Sequence, residues 1–366
     1  MPREIRILFQ ATKNCLYWYE YSYNTKVNVC SVEGSADNLS SGLQEMNGTV
    51  ITEFFLLGFG NLHNLRILLF SFFLVIHVTA LSANVFVIVL VVLNQSLHSP
   101  MYFLLSQLSL SEILFTSNIV PTMLWLILAG GGKVSVALCI IQFYLLGVPA
   151  MSQCLLLAAM SFDRYVAICR PLHYAIIMTL RCQLQIVTFC WLVSFTLSFV
   201  VYIFLRKLQF CGLNVINHFY CDITPVLELS CSDTSSLKMV AFLESISVVL
   251  TPLVFIIATY ISILHTILRI PSTTGKQKAF STCSSHLTFV CMYYGVLTSI
   301  YIFPPSNNSI NANKSLSLLY TLVTPLFNPL IYTLRNRDIR AAMTKYLHVL
   351  GQCKAPKRER KKLITF

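Results

Sequence analysis

Charge is scarce in this sequence. Only 11% of its 366 residues are Asp, Glu, Lys or Arg, while 56% are hydrophobic. Soluble domains carry about 25% charged residues, so this composition excludes a soluble enzyme with a large core. The sequence indicates an integral membrane protein.

Motifs for catalysis, transport and metal binding are also missing. The 13 cysteines include no C-x-x-C pair, which argues against a zinc site. The apolar stretches contain no H-E-x-x-H motif, paired Asp or Ser/His set, as an intramembrane enzyme would require. The sequence also lacks the internal repeats and paired intramembrane charges of many transporters and channels. We therefore expect no catalytic residue, no cofactor and no metal.

Acidic residues are fewer than basic ones, and the net charge is +12. The excess is concentrated in residues 335–366, which hold ten Lys and Arg against Asp338 and Glu359. A basic tail beside apolar segments is typical of a cytoplasmic face that meets anionic lipid. The charge therefore indicates a lipid bilayer as partner, and no nucleic acid.

The sequence is rich in long apolar segments. A helix crosses a bilayer with about 20 apolar residues, and in lipid the backbone must bond within its own segment. We therefore predict an all-α membrane protein, a seven-transmembrane helix bundle, with a short amphipathic C-terminal helix. The seven segments are residues 66–93, 101–129, 136–162, 182–205, 239–268, 280–303 and 316–334. The apolar stripe of the C-terminal helix is Ile339, Ala342, Met343, Tyr346, Leu347 and Leu350.

Lys and Arg in the short loops predict the orientation. They accumulate after the third and fifth segments and in the tail, so we expect a multi-pass plasma-membrane protein with an extracellular N-terminus and a cytoplasmic C-terminus. Residues 1–45 form an extension that we expect to be disordered, and 46–65 an extracellular N-terminus in which Asn47 begins a glycosylation sequon. Residues 66–334 form the transmembrane domain, and 335–366 the amphipathic helix and basic tail.

Four cysteines lie on the predicted outer side, where disulfides form. Cys139 lies at the outer end of the third segment, and Cys211, Cys221 and Cys231 lie in the longest loop. Four cysteines allow three pairings, and the residues alone do not choose between them.

An acid and a base stand side by side at the inner end of the third segment. No charged residue occurs from Val134 to Phe162, and then Asp163 and Arg164 follow. Charge at a membrane boundary is tolerated when it pairs, and release of Arg164 from Asp163 would make a two-state switch. The alternative is an interfacial Arg that snorkels to water and has no signalling role.

Five motifs, in order, resemble those of the olfactory (odorant) receptors, a branch of the rhodopsin-like G-protein-coupled receptors. The resemblance covers about residues 46–350. The motifs are LHSPMYF (97–103), MSFDRYVAIC (160–169), LSCSDT (229–234), KAFSTCSSHLT (278–288) and NPLIY (328–332).

The resemblance implies a function. The protein would bind a small, volatile, mostly apolar odorant in the outer half of the bundle and activate a stimulatory, olfactory-type G protein that raises cAMP. The alternative is a rhodopsin-like receptor for another small ligand outside the nose. The resemblance also implies the disulfides Cys139–Cys221 and Cys211–Cys231. Its activation switch comprises Asp163, Arg164, Tyr165, Tyr260, Asn328, Pro329 and Tyr332, with Pro329 loosening the seventh helix because it lacks an N–H.

The resemblance places the odorant cavity between the third, fifth and sixth helices. In the sixth, three polar side chains share one face at i, i+4 and i+7. Packing between helices is the competing interpretation for each apolar candidate. For Glu244, an intramembrane acid, it is protonation with a hydrogen bond to a neighbour. The candidates are Leu146, Gly147, Ala150, Met151, Glu244, Tyr294, Thr298 and Tyr301.

One departure from the family pattern bears on ion binding. Gln153 stands where the family has Glu. That Glu, with the acid at Glu112 in the second helix, resembles a buried sodium site. One carboxylate remains here instead of two, so we expect weaker sodium binding.

Overall fold

The computed structural model describes residues 8–12, 15–19, 27–29, 51–60, 63–212, 214–301, 310–327, 329 and 339–344. The chain divides into two units, Met1–Val50 and Ile51–Phe366. The candidate functional residues that the structure describes lie in the second unit.

In the first unit the structure describes three short strands, and the disorder expected of residues 1–45 stays a prediction for the segment as a whole. Its described residues form an antiparallel sheet in the order β1-β2-β3, with β1 at Leu8–Thr12, β2 at Cys15–Tyr19 and β3 at Val27–Val29. Aromatic and β-branched residues favour extended backbone, and the β2 sequence CLYWY is mostly aromatic.

Helices in the second unit follow the predicted apolar segments. Counted over the described residues, five are long and apolar enough to cross a bilayer, and they are labelled α1 to α5. The sixth, α6, contains the shorter apolar helix His286–Leu297. The bounds are α1 Arg66–Leu93, α2 Pro100–Ala129, α3 Val136–Cys169, α4 Leu180–Leu205, α5 Ser235–Arg269, α6 Thr273–Tyr301, and α7, which begins as Ile310–Leu318 and continues through Leu319–Val323 to residue 327.

Local chemistry explains several helix ends. Pro100 occupies the first turn of α2, where its missing N–H costs nothing. Gly130 ends that helix in the left-handed region with φ 75°, a conformation that glycine adopts without a Cβ clash. Ser135 Oγ caps α3 by accepting the Leu138 N–H at 3.2 Å, and Thr179 Oγ1 caps α4 in the same way.

Several helices begin earlier than predicted, with α6 starting at Thr273 and α7 at Ile310. Two further differences bear on the site. The third helix continues beyond Phe162, so that Asp163 and Arg164 lie within its last turns and not after its end. The prediction ended where the apolar run ended, although a charged residue does not end a helix. In α5 the residues Ile246–Leu250 form a π-helical turn just before Pro252, and such turns often occur at functional sites.

Three short strands and two disulfides gather at one end of the bundle, here called the disulfide end. The strand β4 (Glu53–Leu56) pairs antiparallel with β5 (Gly132–Ser135) and parallel with β6 (Val215–Ile216). The disulfides join Cys139 to Cys221 and Cys211 to Cys231, with Cα–Cα distances of 5.5 and 5.9 Å. This is the pairing that the family resemblance implies. The opposite end is called the Arg164 end.

The core lies around α3, which packs against α2, α4, α5 and α6. Its apolar residues are joined by buried polar ones, among them Asn84, Glu112, Gln153, Asp163 and His286. The outward faces stay apolar, with Ile67 74% and Phe189 62% exposed, as expected of helices that face lipid. Beyond α7, residues 339–344 are helical with Ile339 and Ala342 buried. Tyr346, Leu347 and Leu350 of the predicted amphipathic helix lie outside the described residues.

Candidate signalling and ligand-binding sites

A buried ion pair occupies the Arg164 end. Arg164 Nε donates to Asp163 Oδ2 at 3.0 Å, and Arg164 Nη2 donates to the same oxygen. Tyr174 Oη donates to the other oxygen, Oδ1, at 2.8 Å. Asp163 is fully buried and Arg164 is 9% exposed. All three bonds are strengthened by charge, and they join two of the predicted switch residues, Asp163 and Arg164, to Tyr174.

Tyr174 reaches Asp163 because the chain turns back sharply after α3. The helix ends at Cys169, a 3₁₀ turn covers Pro171–His173, and a short helix, Tyr174–Ile177, follows. Burial and the nearby Asp163 charge raise the pKa of Tyr174, so its hydroxyl remains a donor at physiological pH. Sequence reasoning missed this residue. The available signal was Pro171, which prevents α3 from continuing.

Tyr260 contacts His286 of α6. Its hydroxyl is 2.7 Å from His286 Nδ1, and the two rings stack with centroids 5.8 Å apart. Tyr165 packs nearby, against a small cluster that includes Ile263 and Cys283. In this arrangement Tyr260 is tied to α6. Of the remaining predicted switch residues, Pro329 is helical and buried, while Asn328 and Tyr332 lie outside the described residues.

A tyrosine that the sequence did not single out joins three helices in the middle of the bundle. Tyr293 is fully buried, and its hydroxyl donates to the Ala150 carbonyl of α3 at 3.0 Å. The same hydroxyl lies 3.4 Å from Tyr320 Oη of α7 and 3.5 Å from Cys154 Sγ. Helical spacing puts Tyr293 on the buried stripe with His286 and Leu297. The spacing argument chose the face of its neighbour Tyr294 instead.

At the disulfide end, a group of polar side chains lies close to Cys139 in the chain. Gln142 and Asn118 exchange bonds, with Asn118 Nδ2 donating to the Gln142 carbonyl at 2.9 Å and Gln142 Nε2 donating to the Asn118 carbonyl at 3.2 Å. Gln142 Oε1 also accepts the Cys221 N–H at 3.2 Å. One side chain therefore ties α2 and α3 to the loop that the disulfide anchors.

Lysine 314, at the start of α7, holds the segment that follows β4. Lys314 Nζ donates to the Gly58 carbonyl at 2.7 Å and to Asn217 Oδ1 at 2.6 Å. His218, the next residue in that loop, is buried. Burial first, and then the Lys314 charge, lower the pKa of His218 to about 3, so it is neutral at physiological pH. Neither residue was predicted, because no local pattern pairs Lys314 with Gly58, which lies 256 positions away.

Comparison with known proteins identifies the family to which the helix bundle belongs. The family model described as "Olfactory receptor" matches residues 72–349. The chain belongs to the olfactory receptor family. Its relatives include human (Homo sapiens) olfactory receptor 10A3, 42% identical over 303 residues, 83% of this chain and 96% of the relative. Human (Homo sapiens) olfactory receptor 6B1 is 43% identical over 309 residues, covering 84% and 97% of the two chains.

Membership in the olfactory receptor family accounts for the fold. The protein is a multi-pass, seven-transmembrane receptor, and the family consists of receptors, not enzymes. The extension does not take part in this match, which starts at residue 72.

The predicted ligand-contact residues of α3 in this olfactory receptor fall into two pairs. A Cβ at Gly147 would lie 3.0 Å from Ser198 Oγ of α4, and Met151 Sδ accepts from the same hydroxyl at 3.4 Å. Both residues therefore face α4, which favours helix packing for them. Leu146 is buried at 9% exposure, and Ala150 lies one turn further along and meets Tyr293 of α6 through its carbonyl.

The remaining ligand candidates lie on α5 and α6. Tyr294 is buried at 4% exposure, beside Tyr293. The side chains of Thr298 and Tyr301 lie outside the described residues, although α6 itself reaches Tyr301. Glu244 lies one residue before the end of the first helical stretch of α5, Ser235–Ser245, just ahead of the π-helical turn.

The two candidate ion-site residues of this receptor are both deeply buried. Glu112 is fully buried and Gln153 is 1% exposed. Their chain neighbours Ser111 and Ser152 are joined by a hydrogen bond of 2.9 Å, so positions 112 and 153 lie at the same level of α2 and α3. The Gln153 Nε2 atom is buried and donates to no group that the described part of the chain supplies.

Proposed function

We propose that this protein is an odorant receptor that binds a small, volatile, mostly apolar molecule and activates a stimulatory, olfactory-type G protein to raise cAMP. Family membership supports the ligand class and the G-protein partner. The observation that carries the signalling role is the buried Asp163–Arg164 pair with Tyr174. It gives the receptor a held state that a G protein can exchange for a released one.

The proposed orientation has the disulfide end outside the cell and the Arg164 end in the cytosol. Two disulfides support this direction because they form in oxidising compartments. The basic tail supports it independently, since Lys and Arg favour the cytoplasmic side. The protein then lies in the plasma membrane with Asn47 available for glycosylation, residues 46–65 outside, 66–334 in the transmembrane domain and 335–366 in the cytosol.

The proposed ligand site lies in the half of the bundle nearer the disulfide end. Leu146 and Ala150 of α3, Glu244 of α5 and Tyr294 of α6 are its central candidates, with Thr298 and Tyr301 toward the mouth. Aliphatic and aromatic walls with a few polar groups suit a small, mostly apolar molecule. Gly147 and Met151 shape this site indirectly, since both contact Ser198 of α4.

A cAMP assay in transfected cells tests this function. Cells that express the receptor with an N-terminal epitope tag are exposed to odorant mixtures, and cAMP and tag staining without permeabilisation are measured together. We expect a dose-dependent cAMP rise and staining of intact cells. Staining without any response to a broad odorant collection would contradict the receptor function, and staining only after permeabilisation would contradict the orientation.

We further propose that Glu112 and Gln153 form a weakened sodium site. A carboxylate at position 153 would add one negative charge to a buried level of the bundle. Its Coulomb attraction to a sodium ion about 4 Å away, at an effective dielectric near 20, is roughly 4 kcal/mol before desolvation is subtracted. Gln153→Glu should therefore lower basal cAMP in the presence of sodium. Basal cAMP of this variant should recover when a large organic cation replaces sodium. An identical response of wild type and Gln153→Glu to this replacement would leave Gln153 as a packing residue.

A further inference from the structure

Glu244 lies on the inward face of α5. Leu237 and Val248 are each 2% exposed, and Val240 packs against the core. Residues spaced by three and four positions share a helix face, so Glu244 lies in the middle of the stripe formed by these three apolar residues. Glu244 is therefore an acidic residue at a position of α5 that faces the bundle, between apolar neighbours on the same face.

Glu244 is half-buried, and one of its carboxyl oxygens lacks a hydrogen-bond partner. Its Oε1 atom is buried and accepts no hydrogen bond from any residue that the structure describes. The described residues form two ion pairs, Lys133–Glu53 and Arg164–Asp163, and neither involves Glu244.

Hydroxyl groups lie nearby on the same helix, but they are engaged elsewhere. Ser245 Oγ donates to the Ala241 carbonyl, and Ser247 Oγ donates to the Leu243 carbonyl, each at 2.8 Å. Thr251 Oγ1 donates to the Ile246 carbonyl at 3.1 Å. All three bonds lie on the exposed side of the helix. These hydroxyl groups therefore bond to the backbone of their own helix, whereas Glu244 faces inward.

A buried carboxylate without a donor is unfavourable, and a ligand that supplies the donor removes this penalty. An ammonium group donates hydrogen bonds and also neutralises the charge, whereas an alcohol supplies one neutral donor. We propose that the ligands of this receptor include small amines with an apolar body, whose ammonium group pairs with Glu244. This inference rests on the odorant-receptor function proposed above.

Matched ligand pairs test the proposal. Hexylamine, cyclohexylamine and benzylamine are compared with hexanol, cyclohexanol and benzyl alcohol in the cAMP assay. The variants are Glu244→Gln, which keeps the shape and removes the charge, and Glu228→Gln, which makes the same change at the exposed last residue of the short helix Ile223–Glu228. Removing one partner of a buried charge pair costs at least about 2 kcal/mol, so Glu244→Gln should raise the half-maximal amine concentration about 30-fold or more. Glu228→Gln should leave it unchanged.

The outcomes separate this proposal from the receptor function itself. An amine response that exceeds the matched alcohol response, and that Glu244→Gln removes selectively, supports the amine class. A receptor that responds to other odorants but to none of the amines keeps the odorant-receptor function and overturns the amine proposal. An amine response that Glu244→Gln and Glu228→Gln leave equally intact also overturns it. Absence of any response to the odorant mixtures at normal surface levels would overturn both.

Discussion

The two ends of the bundle are held together by different kinds of bond. At the disulfide end, two covalent bridges and the backbone ladder of β4, β5 and β6 connect the segment before α1 with two loops. At the Arg164 end, side chains make the connection, with Asp163 bonded to Arg164 and Tyr174. Covalent and backbone links constrain a structure broadly, whereas side-chain bonds can be exchanged for others within one fold. We therefore expect the disulfide end to contribute stability and the Arg164 end to carry the proposed switch.

Burial sharpens this difference. Phe54 and Leu56 of β4 are apolar and fully buried, so the removal of these side chains from water stabilises the strand. Asp163 is equally buried but charged, and a buried ion pair contributes little net stability while its disruption is costly. The ion pair at the Arg164 end therefore adds little to the free energy of unfolding, in contrast to the apolar side chains of β4.

Removing Arg164 should have the largest effect. Arg164→Ala leaves Asp163 buried with only the Tyr174 bond, a loss of about 3–5 kcal/mol for the held state, and it also removes the guanidinium that the released state needs. We expect odorant-evoked cAMP to fall to background while surface staining persists. The exposed Arg170 supplies the control Arg170→Ala, which should signal normally. Normal cAMP from Arg164→Ala at matched surface levels would contradict the switch.

Breaking the disulfides should affect surface delivery and thermal stability, and unequally. The Cys139–Cys221 bridge spans 82 residues of chain and Cys211–Cys231 spans 20. In the chain-entropy model the longer closure is worth about 1 kcal/mol more. We expect the double variant Cys139→Ser/Cys221→Ser to unfold at lower temperature than Cys211→Ser/Cys231→Ser. The measurement is the thermal midpoint in detergent together with surface staining, and equal midpoints would refute the ranking.

A milder change tests the Arg164 end without removing charge. Tyr174→Phe deletes one hydrogen bond to the Asp163 carboxylate, worth about 1.5–3 kcal/mol, and so raises the released fraction by about tenfold or more from a small starting value. We expect higher basal cAMP. Tyr202→Phe, which removes a hydroxyl at the far end of α4, is the matched control and should have no effect. Unchanged basal cAMP in Tyr174→Phe would mean that Tyr174 merely packs against α3.

Sequence reasoning recovered the helices but only part of the connections between them. Apolar length determines α1 and α4 within two residues, because lipid constrains both composition and length. The Asp163–Arg164 contact was accessible because its partners are adjacent in the chain. Tyr174, Tyr293, Gln142 and Lys314 were missed because their partners lie on other elements, and helical periodicity describes one element at a time. Family resemblance supplied the long-range disulfide pairing that spacing left open.

The smallest expected effect concerns acid and the disulfide end. His218 is neutral in the folded receptor, with its pKa lowered to about 3 by burial and by Lys314, while an unfolded histidine has a pKa near 6.5. Its Nδ1 is 3.4 Å from the Tyr220 N–H, an acceptor position that protonation would remove. A folded-state pKa below the unfolded value means that the stabilisation is complete above about pH 6.5 and declines as pH falls toward 3. At pH 5 the loss is about 2 kcal/mol.

Hydrogen exchange at β4 measures this loss, because the Gly58 N–H donates to the His218 carbonyl at 3.1 Å and the Leu57 N–H to that of Ile216 at 3.0 Å. After correction for the intrinsic rate, we expect residues 53–58 to lose up to about 30-fold protection between pH 7 and pH 5. His218→Asn, which cannot be protonated, should flatten this pH dependence, and His98→Asn at an exposed site should preserve it. The peptide 174–177 at the Arg164 end is the internal reference, since no histidine bonds to Tyr174 or Asp163 among the contacts described. Equal acid sensitivity of wild type and His218→Asn would show that the disulfide end derives its pH response from another group, and that the loop at His218 is held by the Lys314 bonds and the disulfide alone.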